Sequence, residues 1–432
     1  TGTGKVKQIR RFECDLFIDD LPYILKHNYF PHDETLSFLF APEKSKEQNR
    51  AVEFPIEVSC WDEMAQILEN ISQLGVQEFK QVIQTFKSFP QRIEDIKTTG
   101  NNKIQKAFIN NKPYIVKSYF IDKHDPRDRS GVEYNALTLF WHNGVRNIPE
   151  PINMDKVVRS DDEHDRQVAV YSFVEGRPVN EEDYSENLVN DMVDFVFSLQ
   201  KCAYNPVNGR DIPEGAHSRR NLKDFLDMIE YREEKVLRSA SQHEIFRPVL
   251  DFVKSSVLPL KRPILDKFYL SVKENNWRME EPIAREERLL CPSDFGLHNI
   301  LLDERKKPHF IDFEYFGVDD PTKFLSDFFH HVAFDLPWDL RWKFYDRFIS
   351  KVPYPGKFIK RWEAVVDLIG YEWLFIILNV AAPGVLERKK FANSSLQIQD
   401  IVSSRLEKAR KRVAQINSFM DQKGQFYTIK GR

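Results

Sequence analysis

The sequence predicts an α+β fold, in which a small antiparallel sheet is followed by a mostly helical domain and preceded by a small α/β region. Strand-type patterns are concentrated between residues 93 and 175, whereas helix-type spacing fills most of residues 176–432. The chain has 432 residues, and one compact domain usually holds about 100–200. We therefore predict three parts, which are residues 1–92, 93–175 and 176–432.

The composition excludes several classes of protein. The hydrophobic fraction is 41% and the formal net charge is -3, so neither a disordered chain nor a nucleic-acid-binding protein is indicated. The most apolar stretch, residues 365–382, carries Asp367 and Glu372, which indicates a buried helix rather than a membrane span. We expect a cytoplasmic protein without a membrane partner, and the oligomeric state is left open. No CxxC pair, zinc site or disulfide framework is indicated by the four scattered cysteines, Cys14, Cys60, Cys202 and Cys291.

The first part of the chain has the pattern of a small α/β region. Strands are predicted over residues 12–18 and 36–40, and helices over residues 61–74 and 76–89. The charged residues 91–97 then predict a connection to the next domain.

The second part predicts a small, mostly antiparallel sheet. Residues 103–109 and 114–120 are strand candidates, and Asn110-Asn111 between them tolerates the left-handed conformations of a tight hairpin. A helix is predicted over residues 132–140, and a further strand over residues 167–174. Beyond residue 176 the sequence predicts helices over residues 188–199, 222–237, 246–257, 338–349, 362–380 and 395–420.

Within the helical part, residues 289–313 predict two short strands with carboxylates and an amide beside them. Asp294 lies five residues before Asn299, which leads into an apolar strand, and Asp312 follows thirteen residues later at the end of a second strand. One hairpin can therefore bring the three side chains together. Phosphoryl transfer needs a base or orienting carboxylate together with oxygen ligands for Mg²⁺. Asp294 suits the first role, and Asn299 and Asp312 suit the second.

The segment CPSDFGLHNILL at residues 291–302, followed by FIDFE at residues 310–314, resembles the catalytic loop of the aminoglycoside phosphotransferase and choline-kinase-like superfamily. The resemblance extends from about residue 97 to the C-terminus. It implies a two-lobed protein-kinase-like fold, in which Asp294 is the catalytic base and Asn299 and Asp312 bind Mg²⁺. It also implies ATP or GTP as the phosphoryl donor. Pro292 and Ser293 stand where a His-Gly pair often precedes the aspartate.

The same resemblance assigns nucleotide-binding residues in the predicted sheet. Lys117 is similar to the strand lysine that holds the α- and β-phosphates, and Glu133 on the following helix would be its ion-pair partner. Ser172 and Val174 lie at the place of the hinge that binds the purine through backbone groups. Gly100 precedes the first strand, where it serves either a phosphate-binding turn or an ordinary turn before the strand.

Several polar residues near the catalytic loop have more than one reading. In the resembling families an aspartate in this region supports the catalytic loop, and the resemblance gives that role here to Asp320 or Asp327. Asp320 stands before a proline and is better explained as a helix cap. His298 has no second histidine at ligand spacing, so a structural hydrogen bond is predicted. The adjacent His330 and His331 predict a helix surface or the edge of a core.

The first part of the chain also has a resemblance of its own. The strand and paired carboxylates of residues 14–22 are similar to the late metal-binding motif of haloacid-dehalogenase-like phosphatases, with Lys5 or Lys7 as the preceding lysine. Those enzymes also need an early Asp-x-Asp nucleophile, which nothing before Asp15 supplies. If residues precede Thr1, a bifunctional phosphatase and kinase is an open alternative. Otherwise Asp19 and Asp20 form a strand-end turn on a structural or partner-binding domain.

The predicted function is the transfer of a γ-phosphoryl group from a Mg-nucleotide to a hydroxyl of a small molecule. The acceptor is an aminoglycoside, a sugar or another hydroxylated metabolite. The acidic residues 181–183 suggest a cationic acceptor or a solvated helix start. The alternative is a catalytically silent, kinase-like module that binds a nucleotide or metabolite as a regulator. A protein kinase is disfavoured, because no Ala-Pro-Glu-like segment follows Asp312.

Overall fold

A computed structural model describes residues 2–32, 34–42, 54–96, 102–121, 125, 127–154, 166–205, 207, 212–382, 384–392 and 397–429. The chain divides into two compact units. The first consists of Thr1–Ile121 and Pro151–Phe173, and we call it the sheet unit. The second consists of Asp122–Glu150 and Val174–Arg432, and we call it the helical unit.

The sheet unit begins with a small α/β layer in which three short strands are parallel. Its elements are α1 (Gly2–Arg11), β1 (Leu16–Asp19), α2 (Pro22–Leu25), β2 (Leu36–Phe40), β3 (Ile56–Val58), α3 (Trp61–Leu74) and α4 (Val76–Phe86). The strands lie in the order β1-β2-β3, with Leu16 opposite Leu36 and Phe38 opposite Ile56. The predicted strand at residues 12–18 begins later, because α1 runs to Arg11 and a turn follows it.

The second layer of the sheet unit is a five-stranded antiparallel sheet. Its strands are β4 (Arg92–Ile96), β5 (Lys103–Ile109), β6 (Lys112–Phe120), β7 (Pro151–Met154) and β8 (Arg166–Ser172), in the order β4-β5-β6-β8-β7. The hairpin between β5 and β6 turns on Asn110 and Asn111, which have φ values of 51° and 61°. This left-handed conformation agrees with the predicted tight turn.

The prediction that residues 91–97 only connect two domains was wrong for Arg92–Ile96. This segment forms the edge strand β4, with Arg92 opposite Phe108 and Ile96 opposite Ile104. Its side chains are mostly exposed. Charged residues are common on edge strands, which are held by ladder hydrogen bonds more than by buried side chains. The charge of the segment therefore concealed a strand.

One apolar core joins the two layers of the sheet unit. Apolar residues of β2, β3, α3 and α4 belong to the same cluster as Ala107, Ile109, Val116 and Val168 of the five-stranded sheet. The α/β layer and the sheet therefore pack as one body. The division of the chain at residues 92 and 175 stays a prediction.

The helical unit contains ten helices and five short strands among its described residues. They are α5 (Arg129–His142), β9 (Arg177–Pro178), α6 (Glu186–Leu199), α7 (Lys223–Ala240), α8 (Arg247–Phe252), α9 (Lys261–Glu274), β10 (Leu289–Cys291), β11 (Ile300–Leu302), β12 (Pro308–Phe310), β13 (Gly317–Asp319), α10 (Pro321–His330), α11 (Trp338–Ile349), α12 (Pro355–Leu378), α13 (Val385–Ala392) and α14 (Ile398–Ile429). Strand β11 lies between β12 and β9, and β10 pairs with β13. Both arrangements are antiparallel.

Helix α12 forms the centre of the helical unit. Among the described residues, Pro355–Ala381 is the one helical segment long and apolar enough to cross a membrane, and 83% of its most apolar window is buried inside the protein. Its acidic residues are paired, since Asp367 contacts Lys267 and Glu372 contacts Arg219. The prediction of a buried core helix is confirmed.

Candidate active site

The hairpin of β11 and β12 brings the three predicted oxygen-bearing residues to one end. Ile300 lies opposite Phe310, and the backbone N–H of Ile311 donates to the carbonyl of Asn299 at 3.0 Å. Asp312 lies two residues after the end of β12, and Asn299 directly precedes β11. Asp294 is joined to this end by the side chain of Asn299. The hairpin geometry that the sequence predicted is therefore present.

The amide of Asn299 has a defined orientation. Its Nδ2 donates to the backbone carbonyl of Asp294 at 2.9 Å, so the amide nitrogen is used in holding the loop. The orientation of an amide is assigned from such bonds. The carbonyl oxygen Oδ1 is then the atom of Asn299 that suits a cation.

Two non-glycine residues of the loop have left-handed backbone conformations. Ser293, directly before the predicted base, has φ of 66°, and Asp312 has φ of 67°. Aspartate tolerates this region better than most residues, whereas serine is less common there. Such conformations cost on the order of 1–3 kcal/mol and are concentrated at functional sites. Neither was predicted from the sequence.

Asp294 is held by two histidines. His331 Nε2 lies 2.9 Å from Asp294 Oδ1, and His298 Nε2 lies 3.4 Å from the same oxygen. Burial by itself would raise the pKa of Asp294, but hydrogen bonding to His298 and His331 holds it below its usual range. The carboxylate is therefore ionised at neutral pH.

The prediction for His298, a structural hydrogen bond, agrees with its position beside Asp294. His331 was predicted to lie on a helix surface or at the edge of a core. Instead it is buried and its ring reaches the predicted base. The contact could not be predicted from local spacing, because His331 lies 37 residues from Asp294 in the sequence. The signal available in the sequence was the His-His pair at the end of an apolar helix.

Stacked aromatic rings lie beneath the catalytic loop. Phe295, the residue after Asp294, has its ring centroid 5.7 Å from that of Phe310, and Phe195 of α6 stacks on Phe310 at 3.8 Å. Phe313, which follows Asp312, packs edge-on against Phe140 of α5 at 5.3 Å. The apolar residues beside the polar ones thus anchor both ends of the site in the core.

A cluster of basic residues lies near the end of the second motif. Glu314 is buried and its carboxylate lies 3.7 Å from Arg129 of α5. The guanidinium of Arg127 lies over the ring of Tyr315 at 5.3 Å and is paired with Asp125 at 2.7 Å. Because these partners come from distant segments, no local pattern in the sequence indicated them.

Asp320 caps α10. Its side chain accepts from the backbone N–H of Thr322 at 2.8 Å, and it forms an ion pair with Arg361. The predicted helix cap is confirmed. Asp327 instead contacts Lys323 and the indole N–H of Trp373, both at 2.9 Å.

The predicted nucleotide-binding residues are divided between the two units. Lys117 lies on β6 in the sheet unit, is buried, and has its ammonium 4.9 Å from the ring centre of Tyr119. Ser172 ends β8 in the same unit. Glu133 lies buried on α5, and Val174 begins the second segment of the helical unit. The ion pair of Lys117 with Glu133 stays a prediction, and Gly100 lies outside the described residues.

The acidic run that suggested a cationic acceptor is partly neutralised. Asp183 accepts two hydrogen bonds from the guanidinium of Arg177, at 2.6 and 2.7 Å, and one from the backbone N–H of Asn180. Its carboxylate thus holds a local turn. Glu181 and Glu182 are exposed.

At the start of the chain, Lys5 of α1 forms an ion pair with Asp19 at the end of β1. The other oxygen of Asp19 accepts from the backbone N–H of Leu21 at 3.0 Å. Both contacts suit a strand-end turn. The resemblance of this region to haloacid-dehalogenase-like phosphatases stays a prediction.

Known proteins resemble this chain in sequence and in fold. A family model described as the phosphotransferase enzyme family (APH) matches residues 105–343, more than half of the chain. A spectinomycin phosphotransferase in complex with ADP and spectinomycin is similar with a TM-score of 0.50 and 13% identity, over 77% of this chain and 98% of that chain. An amicoumacin kinase in complex with AMP-PNP, Ca²⁺ and Ami has a TM-score of 0.50 and 12% identity, over 81% of this chain and 96% of that chain. No curated protein matches the chain.

Because their sequence identity to this chain is low, the two solved structures show only the fold. The match to the family model shows that the chain is a member of the family. The predicted α+β, protein-kinase-like fold, with a small antiparallel sheet and a mostly helical part, is confirmed. The family model covers both the strand of Lys117 and the loop of Asp294. The chain belongs to the phosphotransferase enzyme family, and it is a small-molecule kinase.

Proposed function

We propose that the protein transfers the γ-phosphoryl group of a Mg-nucleotide to a hydroxyl group of a small molecule, with Asp294 as the catalytic base. The observation that supports this most is the position of Asp294. Its carboxylate stands ionised beside the hairpin end that carries Asn299 and Asp312. A loop that only binds a ligand has no need for this arrangement.

In this reaction Asp294 accepts a hydrogen bond from the acceptor hydroxyl and orients its oxygen toward the γ-phosphorus. The bond between that oxygen and phosphorus forms as the bond from the γ-phosphorus to the nucleoside diphosphate breaks. The hydroxyl proton passes to Asp294. A carboxylate with a lowered pKa is a weak base, so its main contribution is orientation, with proton transfer late in the reaction.

The donor set of the site fits a hard divalent cation. Asn299 would bind it through Oδ1, since its amide nitrogen is engaged with Asp294, and Asp312 would bind it through a carboxylate oxygen. Bound Mg²⁺ would neutralise charge on the phosphate oxygens. Only two protein ligands are proposed, which suits a cation that retains water and phosphate ligands.

The nucleotide is proposed to bind through the residues that the family resemblance assigns. Lys117, paired with Glu133, would hold the α- and β-phosphates, and Gly100 would contribute a backbone N–H group. Ser172 and Val174 would contact the purine through backbone groups. Side chains at these positions do not select the base, so ATP and GTP are both proposed donors.

The acceptor is proposed to be an aminoglycoside, a sugar or another hydroxylated metabolite. The two similar structures bind spectinomycin and Ami. A strongly cationic acceptor is disfavoured, because the charge of Asp183 is already neutralised by Arg177. Screening should therefore include neutral and acidic hydroxylated compounds beside the amines.

The decisive experiment measures acceptor-dependent release of ADP, with a panel of hydroxylated amines, sugars and aminoglycosides. Wild type is compared with Asp294→Asn, and with Asp266→Asn as a control on an exposed helix surface. We expect turnover in wild type and the control, its loss on addition of EDTA, and a loss of at least about 100-fold in Asp294→Asn. Nucleotide binding in wild type, with equal residual turnover in wild type and Asp294→Asn, would instead support the silent regulatory module.

A further inference from the structure

His331 makes the contact with Asp294 that the proposed mechanism does not yet use. It lies directly after α10, at the C-terminal cap, and is 5% exposed. Its Nε2 is 2.9 Å from Asp294 Oδ1, a normal hydrogen-bond distance. In the described part of the chain no hydrogen bond is made to Oδ2 of Asp294. The carboxylate is thus held through Oδ1, and its Oδ2 is left to accept a hydrogen bond from a substrate.

The hydrogen bonds of the ring define where its proton lies. The backbone N–H of Ala333 donates to Nδ1 of His331 at 3.1 Å, so Nδ1 must carry a lone pair. In a neutral ring the proton is then on Nε2, which donates it to Asp294. Burial lowers the pKa of His331 despite its bond to Asp294, which agrees with a neutral ring. The tautomer is assigned from this network.

A metal site is the competing interpretation of this cluster. Ligand atoms of Asp294, His298 and His331 all lie within 4.8 Å of one another. A metal bound by Nε2 of His331 would require the proton to move to Nδ1, where it would face the N–H of Ala333. Two N–H groups directed at each other are repulsive, so the network favours a donor to Asp294 over a metal ligand.

The ring of His331 packs against three other rings. His298 stacks on it with ring centroids 4.5 Å apart, and Phe334 stacks at 5.2 Å with an interplanar angle of 9°. The indole of Trp373 meets it edge-on at 4.8 Å. A ring packed in this way has one orientation, and its N–H has one direction.

The backbone of His331 is held from the C-terminal helix. Arg412 of α14 is 1% exposed and donates to the carbonyl of His331 at 3.0 Å. A second nitrogen of its guanidinium lies 3.4 Å from Nδ1 of His330. Burial and a neighbouring guanidinium lower the pKa of Arg412 to about 9. Placing a buried cation here is costly, which indicates that the end of α10 requires a defined position.

We propose that His331 is a positioning residue for the catalytic base, and that Arg412 fixes His331 through its carbonyl. This inference rests on the proposed function of Asp294. His331 donates to Oδ1 and thereby directs Oδ2 to the acceptor hydroxyl. Because His331 is buried and contacts Asp294, we expect its loss to lower kcat and to leave the KM for nucleotide unchanged.

The test compares His331→Ala, His331→Gln and Arg412→Leu with the control His243→Ala, which removes an exposed histidine. His331→Ala should lower kcat about 100-fold, with the KM for nucleotide unchanged within about twofold. Glutamine carries an N–H at a similar distance from its Cα, so His331→Gln should recover at least about tenfold of the loss. Arg412→Leu should lower kcat by roughly tenfold.

Three kinetic outcomes would overturn the proposal. One is an unchanged kcat in His331→Ala. The others are an equal loss of kcat in the alanine and glutamine variants and a parallel loss of nucleotide binding, because each of these two would show a role in packing alone. Turnover of Asp294→Asn, measured in parallel, tests the proposed function separately.

A second readout is made on the wild-type protein and needs no turnover. Protein labelled with ¹⁵N-histidine reports the tautomer of each ring by long-range ¹H–¹⁵N correlation, and His331→Gln identifies the signal of His331. A proton on Nε2 of His331 is expected. A proton on Nδ1 would exclude donation to Asp294 and overturn the inference, even if Asp294 proves essential for transfer.

Discussion

At the scale of single residues, the candidate site depends on close packing between the loop of Asp294 and a neighbouring aromatic ring as well as on charge. Gly296 lies two residues after Asp294, and a Cβ at this position would stand 2.2 Å from Cε1 of Phe334. Phe334 in turn stacks on His331. Glycine therefore allows the loop of Asp294 to approach the aromatic ring that packs on His331.

We predict that Gly296→Ala displaces Phe334 and lowers kcat by about tenfold or more, since small misplacements at a reacting centre are costly. Gly356→Ala is a matched control, because no atom lies within 4 Å of its added Cβ. The measurement is the kcat of both variants in the acceptor-dependent assay. Equal rates in the two variants would show that the loop tolerates the methyl group.

The pair of left-handed residues also belongs to this scale. Ser293 has φ of 66°, a conformation that glycine adopts without strain. Ser293→Gly should therefore be neutral or stabilising by up to about 1 kcal/mol, whereas Ser293→Val should destabilise, since a β-branched residue is a genuine outlier there. Urea unfolding of the two variants checks this. A valine variant as stable as wild type would contradict the assigned backbone conformation.

At the scale of elements, helix α10 connects strand β13 to His331, whose ring contacts Asp294. Its N-cap is Asp320, directly after β13, and its C-cap is His331. Its first turn is held by the Asp320 side chain, and its last carbonyls are bound by Arg341 and Arg412. Both ends of the helix are thus fixed by polar contacts.

Removing the cap should loosen this element. Asp320→Ala removes the hydrogen bond to Thr322 and leaves Arg361 without one of its carboxylate partners. We expect a loss of roughly 2–4 kcal/mol of unfolding free energy, and a smaller loss for Asp320→Asn, which keeps the cap. Asp339→Ala, in the exposed first turn of α11, is the control. Losses of similar size in Asp320→Ala and the control would argue against the cap.

At the scale of the whole molecule, buried charge pairs connect distant segments of the helical unit. Glu372 of α12 accepts from Arg219 at 2.6 Å and from Arg232 of α7 at 2.8 Å. The backbone N–H of Arg219 donates to Asp319, which precedes α10. These pairs join the core helix to the segments that flank the site.

This network makes stability depend on acid pH. Burial would raise the pKa of Glu372, but Arg219 and Arg232 lower it to about 2. Because the folded pKa lies below the ordinary value of 4.5, the stabilisation is complete above about pH 4.5 and is lost as the pH falls toward 2. Glu372→Gln should cost roughly 3–5 kcal/mol at neutral pH and flatten the loss of stability in acid. Thermal unfolding between pH 7 and 3 measures both, and an unchanged acid profile in the variant would contradict the assignment.

Much of the fold was predictable because its patterns are local. Helix α3, helix α11 and strand β2 have the predicted bounds, and Asn110-Asn111 forms the predicted turn. These elements bury one apolar face or use a turn dipeptide of defined conformation. Strand β4 was missed, because backbone pairing rather than an apolar pattern holds an edge strand.

The sequence by itself determined that Asn299 and Asp312 come to one end of a hairpin with Asp294 beside them, because this geometry follows from local spacing. It also determined the family, through motifs of defined order. Only the tertiary structure decided how the base is held. His331 contacts Asp294 from 37 residues away in sequence, and Arg412 contacts His331 from 81 residues away. Such contacts depend on the packing of distant segments and produce no periodic pattern in the sequence.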